Sequence, residues 1–313
     1  MIKIFKKRIS GLHSAIKRCL FEFFYSHPLV YYLDDFIVKF GKRYVVKEVL
    51  GSRMVLDLLD KGACRDLYHY GIREREAIDI YKNFLTKKDN ILDIGANIGI
   101  YVLLASKITN GKIYAIEPDP RSFKLLKENI KINNLEERIK AYNIAMGNER
   151  GKLKFYQSES FNWSSVAREN EKGIWVEVTT IDDFVSNREI SCLRFDLEGY
   201  EYSLLKGAKK TLQKKLKIFM EVHPPLIKEY GGNVLNMFEM LKDFKLRYYA
   251  TPQVDFFKKR SIMSLCTSTF KGRILTPWKA FHSNQTIREI LSNQEMRKLF
   301  TETMWYHLFL EKA

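Results

Sequence analysis

The spacing of hydrophobic and polar positions changes several times along the chain, and each change marks an element. From Met1 to about Arg43, Phe5, Ile9, Leu12, Ile16, Leu20 and Phe23 or Phe24 recur at helical spacing, with Lys3, Lys6, Lys7, Arg8, Lys17 and Arg18 around them. Tyr44 to Leu59 reads as two short strands about Gly51-Ser52, and Glu74 to Phe84 returns to a helical period. From Ile91 onward strands and helices alternate: strand Ile91 to Ile94, helix Ile98 to Ile108, strand Lys112 to Ile116, helix Arg121 to Asn133 and strand Ile139 to Ala145. After an irregular insertion from Gly147 to Ile190 come strand Cys192 to Phe195, helix Tyr202 to Gln213, strand Lys217 to Val222, helix Pro225 to Lys242 and strand Leu246 to Ala250. This alternation predicts an α/β fold, a doubly wound, mainly parallel sheet with helices on both faces and a ligand crevice at the strands' carboxyl ends. Beyond Thr267 the spacing of Ile287, Ile290, Leu291, Met296, Leu299, Phe300 and Met304 predicts a helical tail.

Composition narrows the classes. With 46% hydrophobic residues among 313, the chain can build a substantial core, which excludes a disordered protein. Lysine and arginine exceed acidic residues by 53 to 37, a net charge of +16. That excess suits an anionic partner such as lipid headgroups, nucleic acid or a phosphorylated substrate, and it also suits a generally basic soluble protein. The basic helix of residues 1–40 either packs on its own domain or lies on an anionic membrane surface as a peripheral contact. It is not expected to span one, because Glu22 and His27-Pro28 interrupt the apolar run well short of about 20 residues. Cys19, Cys64, Cys192 and Cys266 form no Cys-x-x-Cys pair or metal-ligand cluster and read as thiols of a reducing compartment. The opening residues lack a long apolar segment ending in a small-residue cleavage site, so a cytoplasmic location is expected.

The chemistry concentrates where strands end. Ile91-Leu92-Asp93-Ile94-Gly95-Ala96-Asn97-Ile98-Gly99 is a strand, a tight turn and a helix start, the arrangement of a nucleotide-shaped cofactor site. A dinucleotide turn places glycine where Asn97 stands, and a carboxylate at Asp93 is unfavourable beside a pyrophosphate. An adenosyl amino acid such as S-adenosylmethionine (SAM), which has no phosphate and carries an ammonium and a sulfonium group, fits better. The next strand ends in Glu117-Pro118-Asp119-Pro120, where Glu117 can accept both ribose hydroxyls and Asp119 can cap the following helix.

Taken together, Leu92-Asp93-Ile94-Gly95-Ala96-Asn97-Ile98-Gly99, Ile116-Glu117-Pro118, Thr180-Ile181-Asp182-Asp183, Asp196-Leu197-Glu198-Gly199 with Glu201, Leu205-Lys206-Gly207-Ala208 and Glu221-Val222-His223 resemble the FkbM family of SAM-dependent methyltransferases. The resemblance runs from about Gly71 to about His223. It implies a class I methyltransferase fold, Rossmann-like and seven-stranded, with an antiparallel strand taken here as Ile262 to Thr267. It also implies methylation of hydroxyl oxygens on sugars, polyketides or related small molecules, and brings Glu74 towards the amino-acid end of SAM. Arg194 departs from the pattern, which more often has lysine there. The expected organisation is a basic extension over 1–45, a methyltransferase domain over 46–267 and a helical tail over 268–313.

The cofactor set is then Glu74, Asp93, Gly95, Asn97, Gly99 and Glu117, with Asn143 and Ala145 beside an adenine. Methyl transfer needs in-line placement and a base for the hydroxyl proton, and Asp196, Glu198 and His223 are the candidates. The carboxylate pair could instead hold a divalent cation that activates the hydroxyl. In the insertion, Trp163 could stack on a sugar and Ser164 or Ser165 bond its hydroxyls, or the aromatic simply packs the loop onto the domain, and these residues stay outside the site set. Two further readings stand beside sugar O-methylation. One is a nucleic-acid methyltransferase, for which the charge speaks but the missing Asn/Asp-Pro-Pro-aromatic motif does not; the other is a membrane-recruited binding module without catalysis.

Overall fold

The computed structural model describes residues 38, 41–166, 173–252, 278–302 and 305–312. The basic helix expected over residues 1–40 and the strand expected at Ile262 to Thr267 lie outside the described residues, Val38 excepted. The chain opens with hairpin β1 (Tyr44–Val49) and β2 (Ser52–Asp57), then α1 (Ala63–Tyr70) and α2 (Arg75–Phe84). Next come β3 (Ile91–Ile94), α3 (Ile100–Ser106), β4 (Ile113–Ile116), α4 (Pro120–Lys131) and β5 (Ile139–Tyr142). A small sheet follows from β6 (Ala145–Met146), β7 (Gly151–Tyr156), β8 (Ser165–Val166) and β9 (Ile174–Thr179). The second half runs α5 (Ile181–Phe184), β10 (Cys192–Phe195), α6 (Glu201–Lys206), β11 (Leu216–Val222), α7 (Pro224–Glu229), α8 (Val234–Met240) and β12 (Lys245–Pro252). It closes with β13 (Trp278–His282), α9 (Ile287–Ser292), α10 (Gln294–Glu302) and β14 (Tyr306–Lys312).

The main sheet has eight strands in the order β13-β12-β14-β11-β10-β3-β4-β5. Strands β11, β10, β3, β4 and β5 are parallel, while β14 is antiparallel to both β11 and β12 and β13 is antiparallel to β12. Among the described residues the sheet has eight strands where seven were expected, and it is mixed, with β14 and β13 running against the other six. The antiparallel strand between β11 and β12 is Tyr306–Lys312, inside what was expected to be a helical tail. Its residues Tyr306 to Leu310 are buried on both faces, so the run shows no period-two alternation to distinguish it from a helix. Phe309 stacks on Phe219 of β11, with ring centroids 4.3 Å apart and planes at 5°.

Local rules explain the other boundaries. Asp119 caps α4, its side chain accepting the Arg121 amide with Pro120 in the first turn, as its sequence position implies. The single helix expected from Pro225 to Lys242 is two, because Gly231 has φ +70° and Asn233 then caps a new start. Helix α1 was not foreseen, because it buries Arg65 and Asp66 beside Cys64 and Leu67, which disguises its inner face as a polar one.

Candidate active site

Strands β3, β4 and β10 deliver their carboxyl ends side by side, and the turns that follow them enclose the principal pocket. The turn after β3 forms its floor. Gly95 has φ +77°, and a Cβ there would lie 2.3 Å from the Asp196 carbonyl oxygen. Asn97 also takes the left-handed region, φ +51°, with its side-chain oxygen accepting the Ile98 amide at 2.8 Å, so asparagine serves here where a glycine would otherwise be needed. Gly99 at φ +96° starts α3, and a Cβ would press on Leu126 at 2.8 Å.

Glu117 faces this turn from the end of β4. Its Oε2 accepts the Asn97 amide at 2.7 Å and its Oε1 the Asp119 amide at 2.8 Å, leaving further acceptor capacity on both oxygens. Burial raises its carboxyl to about 8, against the pull of those two amides. Asn143 does not line the pocket: its amide donates to the Glu117 and Pro118 carbonyls and pins the strand end, while Ala145 does line the pocket.

Asp93 is fully buried behind the turn and does not line the pocket. Its Oδ1 meets Arg194 Nη1 at 3.2 Å across the β3–β10 register, and the same guanidinium donates to the Gly95 carbonyl at 3.0 Å. Arg194 also lies over the Tyr101 ring at 4.4 Å and 3.6 Å from Asp196 Oδ2. Burial works against its charge, but Asp93 and then Asp196 more than restore it and raise its pKa. Asp93 therefore supports the turn after β3 through Arg194, and Arg194 reaches the pocket wall.

Asp196 and Glu198 line the opposite end, where Glu198 (φ +48°) and Gly199 (φ +106°) turn the chain into α6. The Asp196 carboxyl is raised well above the ordinary range by burial, then by the neighbouring charges of Glu221 and Glu198. His223 is placed behind them, not in the pocket wall. Its Nδ1 is 2.8 Å from Glu201 Oε1, and its Nε2 is 3.4 Å from Glu221 and 3.5 Å from Glu198. Burial alone would lower its pKa, but Glu198, Glu201 and Glu221 outweigh burial and raise it well above the imidazole value. His223 thus stands behind the carboxylate corner, in contact with Glu198, Glu201 and Glu221.

Glu74, at φ +46° before α2, lines the pocket, accepts the Tyr101 hydroxyl at 2.8 Å and meets Arg73 at 3.6 Å. Ser164 and Ser165 line the pocket too; the Ser164 hydroxyl is tied to Asp119 at 3.1 Å, and the Tyr230 hydroxyl donates to Ser165 at 3.2 Å. Trp163 is partly exposed and lies outside the pocket wall. The sequence reading missed Arg73, Tyr101 and His307. Glu221 was visible only as part of the Glu221-Val222-His223 sequence at the end of β11.

The charges of the lining select among cofactors. Glu74, Glu117, Asp196 and Glu198 face two guanidiniums, Arg73 and Arg194. Burial raises the carboxyls of Glu117 and Asp196, so the lining carries no fixed surplus of charge; a cationic group entering it favours their ionised forms, and a pyrophosphate disfavours them.

Comparison with known proteins matches the methyltransferase FkbM domain to residues 93–248. The hexuronic acid methyltransferase AglP of Haloferax volcanii is 24% identical over 153 residues, covering 48% of this chain and 62% of that protein. A tRNA (guanine(37)-N(1))-methyltransferase of Dictyostelium discoideum is 40% identical over 62 residues, 20% of this chain and 14% of that one. In both cases the match spans less than two thirds of the relative's own length. Among solved structures, the methyltransferase FkbM from Methylobacillus flagellatus KT aligns at 17% identity and a TM-score of 0.38, over 52% of this chain and 40% of its own.

Proposed function

The chain belongs to the methyltransferase FkbM family, and from that membership we propose that it transfers the methyl group of SAM to a hydroxyl oxygen of a sugar, glycan or related small metabolite. One observation carries the reading. A single pocket has a ribose-type carboxylate, Glu117, at one end, a strained carboxylate corner, Asp196-Leu197-Glu198, at the other, and the Gly95 to Gly99 turn between them.

In this reading Glu117 accepts the ribose hydroxyls, and Glu74 with the turn residues Gly95 and Asn97 receives the amino-acid end. Bound SAM supplies an electrophilic methyl on a cationic sulfur. Asp196 takes the proton of the acceptor hydroxyl as its oxygen bonds to the methyl carbon and the carbon–sulfur bond breaks. Its raised pKa makes it the stronger base, and positive charge arriving beside it favours the ionised form needed to accept that proton. Alignment of oxygen, carbon and sulfur supplies most of the acceleration, and a rigid corner between β10 and α6 is suited to provide it.

The AglP match supports a sugar acceptor, while the tRNA methyltransferase match and the charge of +16 support a nucleic acid. Strand β10 is followed by Asp196-Leu197-Glu198 and not by an Asn/Asp-Pro-Pro-aromatic sequence, which favours the hydroxyl. Incubation with methyl-tritiated SAM and either uronic-acid-containing glycans or unmodified tRNA separates the two. Label in an alkali-stable ether on glycan is expected; label confined to tRNA would replace the proposal with its rival.

A further inference from the structure

Glu221 lies on β11, His223 directly follows the end of that strand, and Asp196 directly follows the neighbouring strand β10. One potential ligand atom from each of the three falls within 4.8 Å of the others. The imidazole is clamped from behind: Glu201 Oε1 holds Nδ1 at 2.8 Å and also accepts the Gly199 amide at 3.1 Å. With Nδ1–H given to Glu201, Nε2 is the atom turned to the carboxylates. It makes no hydrogen bond among the described residues although the side chain is only 3% exposed. A carboxylate that orients a buried histidine whose far nitrogen meets two further carboxylates is the recurring outer-shell arrangement of metal sites. Asp196 Oδ1 likewise makes no hydrogen bond among the described residues, Arg194 standing against Oδ2.

We propose that Asp196, Glu221 and His223 bind one divalent cation of the Mn²⁺ class. One imidazole nitrogen with two carboxylate oxygens suits such an ion better than a soft, thiolate-seeking metal. A proton on Nε2 and the ion are alternatives for one position, so binding the ion displaces that proton. Asp196 also borders the pocket, which puts the ion next to an incoming hydroxyl and lets it ease loss of the hydroxyl proton. This role rests on the methyltransferase reading; the binding site itself does not. Glu74, Glu221 and His307 form a second group of similar span, with His307 Nε2 at 3.5 Å from Glu221, and it lacks the Glu201 clamp.

The test is Mn²⁺ titration of chelator-treated full-length protein, read by electron paramagnetic resonance, with SAM calorimetry on the same samples. One Mn²⁺ per chain is expected, with a nitrogen-14 coupling in the pulsed spectrum. Affinity is expected to fall at least about tenfold in Glu201→Gln, to vanish in His223→Asn, and to hold in His307→Gln. Absence of saturable binding, absence of the nitrogen coupling, or loss in His307→Gln with retention in His223→Asn would each overturn the site. If either His223→Asn or Glu201→Gln fails to fold, the wild-type stoichiometry and coupling still decide. SAM binding without Mn²⁺ binding removes the cation alone, whereas Mn²⁺ binding without SAM binding removes the functional reading and leaves the site.

Discussion

Glu117 gives the sharpest pH prediction, because one group both lines the pocket and titrates near neutrality. It is 5% exposed, and burial raises its carboxyl to about 8. At pH 7 about one chain in eleven then has the ionised group, and at pH 9 about ten in eleven. If ribose hydroxyls donate to the carboxylate, only the ionised chains are competent, and apparent cofactor affinity rises about tenfold between these pH values. Calorimetry with S-adenosylhomocysteine, on wild type and Glu117→Gln at both pH values, measures it. The ligand's own amino group titrates identically against both proteins, so the informative quantity is the ratio of their affinities. That ratio is expected to grow about tenfold in favour of wild type; an unchanged ratio would refute the assignment of Glu117 to the ribose. The same shift has a stability consequence of definite sign. The folded pKa lies above the unfolded value of 4.5, so the native state binds the extra proton. The contribution is fully present below the unfolded pKa and is lost as pH rises through about 8, by roughly 4 to 5 kcal/mol. Glu117→Gln should flatten that part of the pH dependence in urea unfolding.

Other substitutions probe separate parts of the fold and site. Gly95→Ala forces a Cβ to within 2.3 Å of the Asp196 carbonyl at φ +77°, so thermal melting should show a loss of at least about 1–3 kcal/mol, and calorimetry a loss of cofactor binding. Arg194→Met leaves Asp93 buried without its cation and should lower urea stability by about 3–5 kcal/mol; a wild-type midpoint would deny Arg194 its place in the turn. Asp196→Asn should keep cofactor affinity within a few-fold and lower single-turnover methyl transfer by about two to four orders of magnitude, and near-normal turnover would move the base elsewhere. Phe309→Ala removes the ring stacked on Phe219 and should cost about 3–5 kcal/mol, whereas a negligible change would mean that β14 is not integral to the sheet.

The alternation of strands and helices was legible from Ile91 to Tyr142 and again from Cys192 to Val222, because each parallel strand is a short apolar run and each following helix starts at a recognisable signal, whereas the small sheet between them was read as an irregular insertion. Gly95, Asn97 and Asp119 announce those starts through backbone conformation or capping, which are local properties. Strand β14 was not legible, since Tyr306 to Leu310 are covered on both faces and a fully buried run has no period. The site divides in the same way. Glu117, Asp196 and Glu198 could be placed from strand ends alone, but the burial of Asp93 behind Arg194 depends on pairing between β3 and β10, separated by about a hundred residues. The upward shift of the His223 pKa is likewise collective, set against burial by Glu198, Glu201 and Glu221 acting together. Periodicity reports which face a residue occupies and not which charges meet there.

Calorimetric titration of the full chain with SAM and, separately, with NAD is the most direct trial of the cofactor assignment. One SAM per chain, with binding lost in Gly95→Ala and no saturable heat from NAD, is the expected result. Saturable NAD binding with none for SAM would contradict the charge argument drawn from Glu74, Glu117, Asp196 and Glu198, and with it the methyltransferase reading of the pocket.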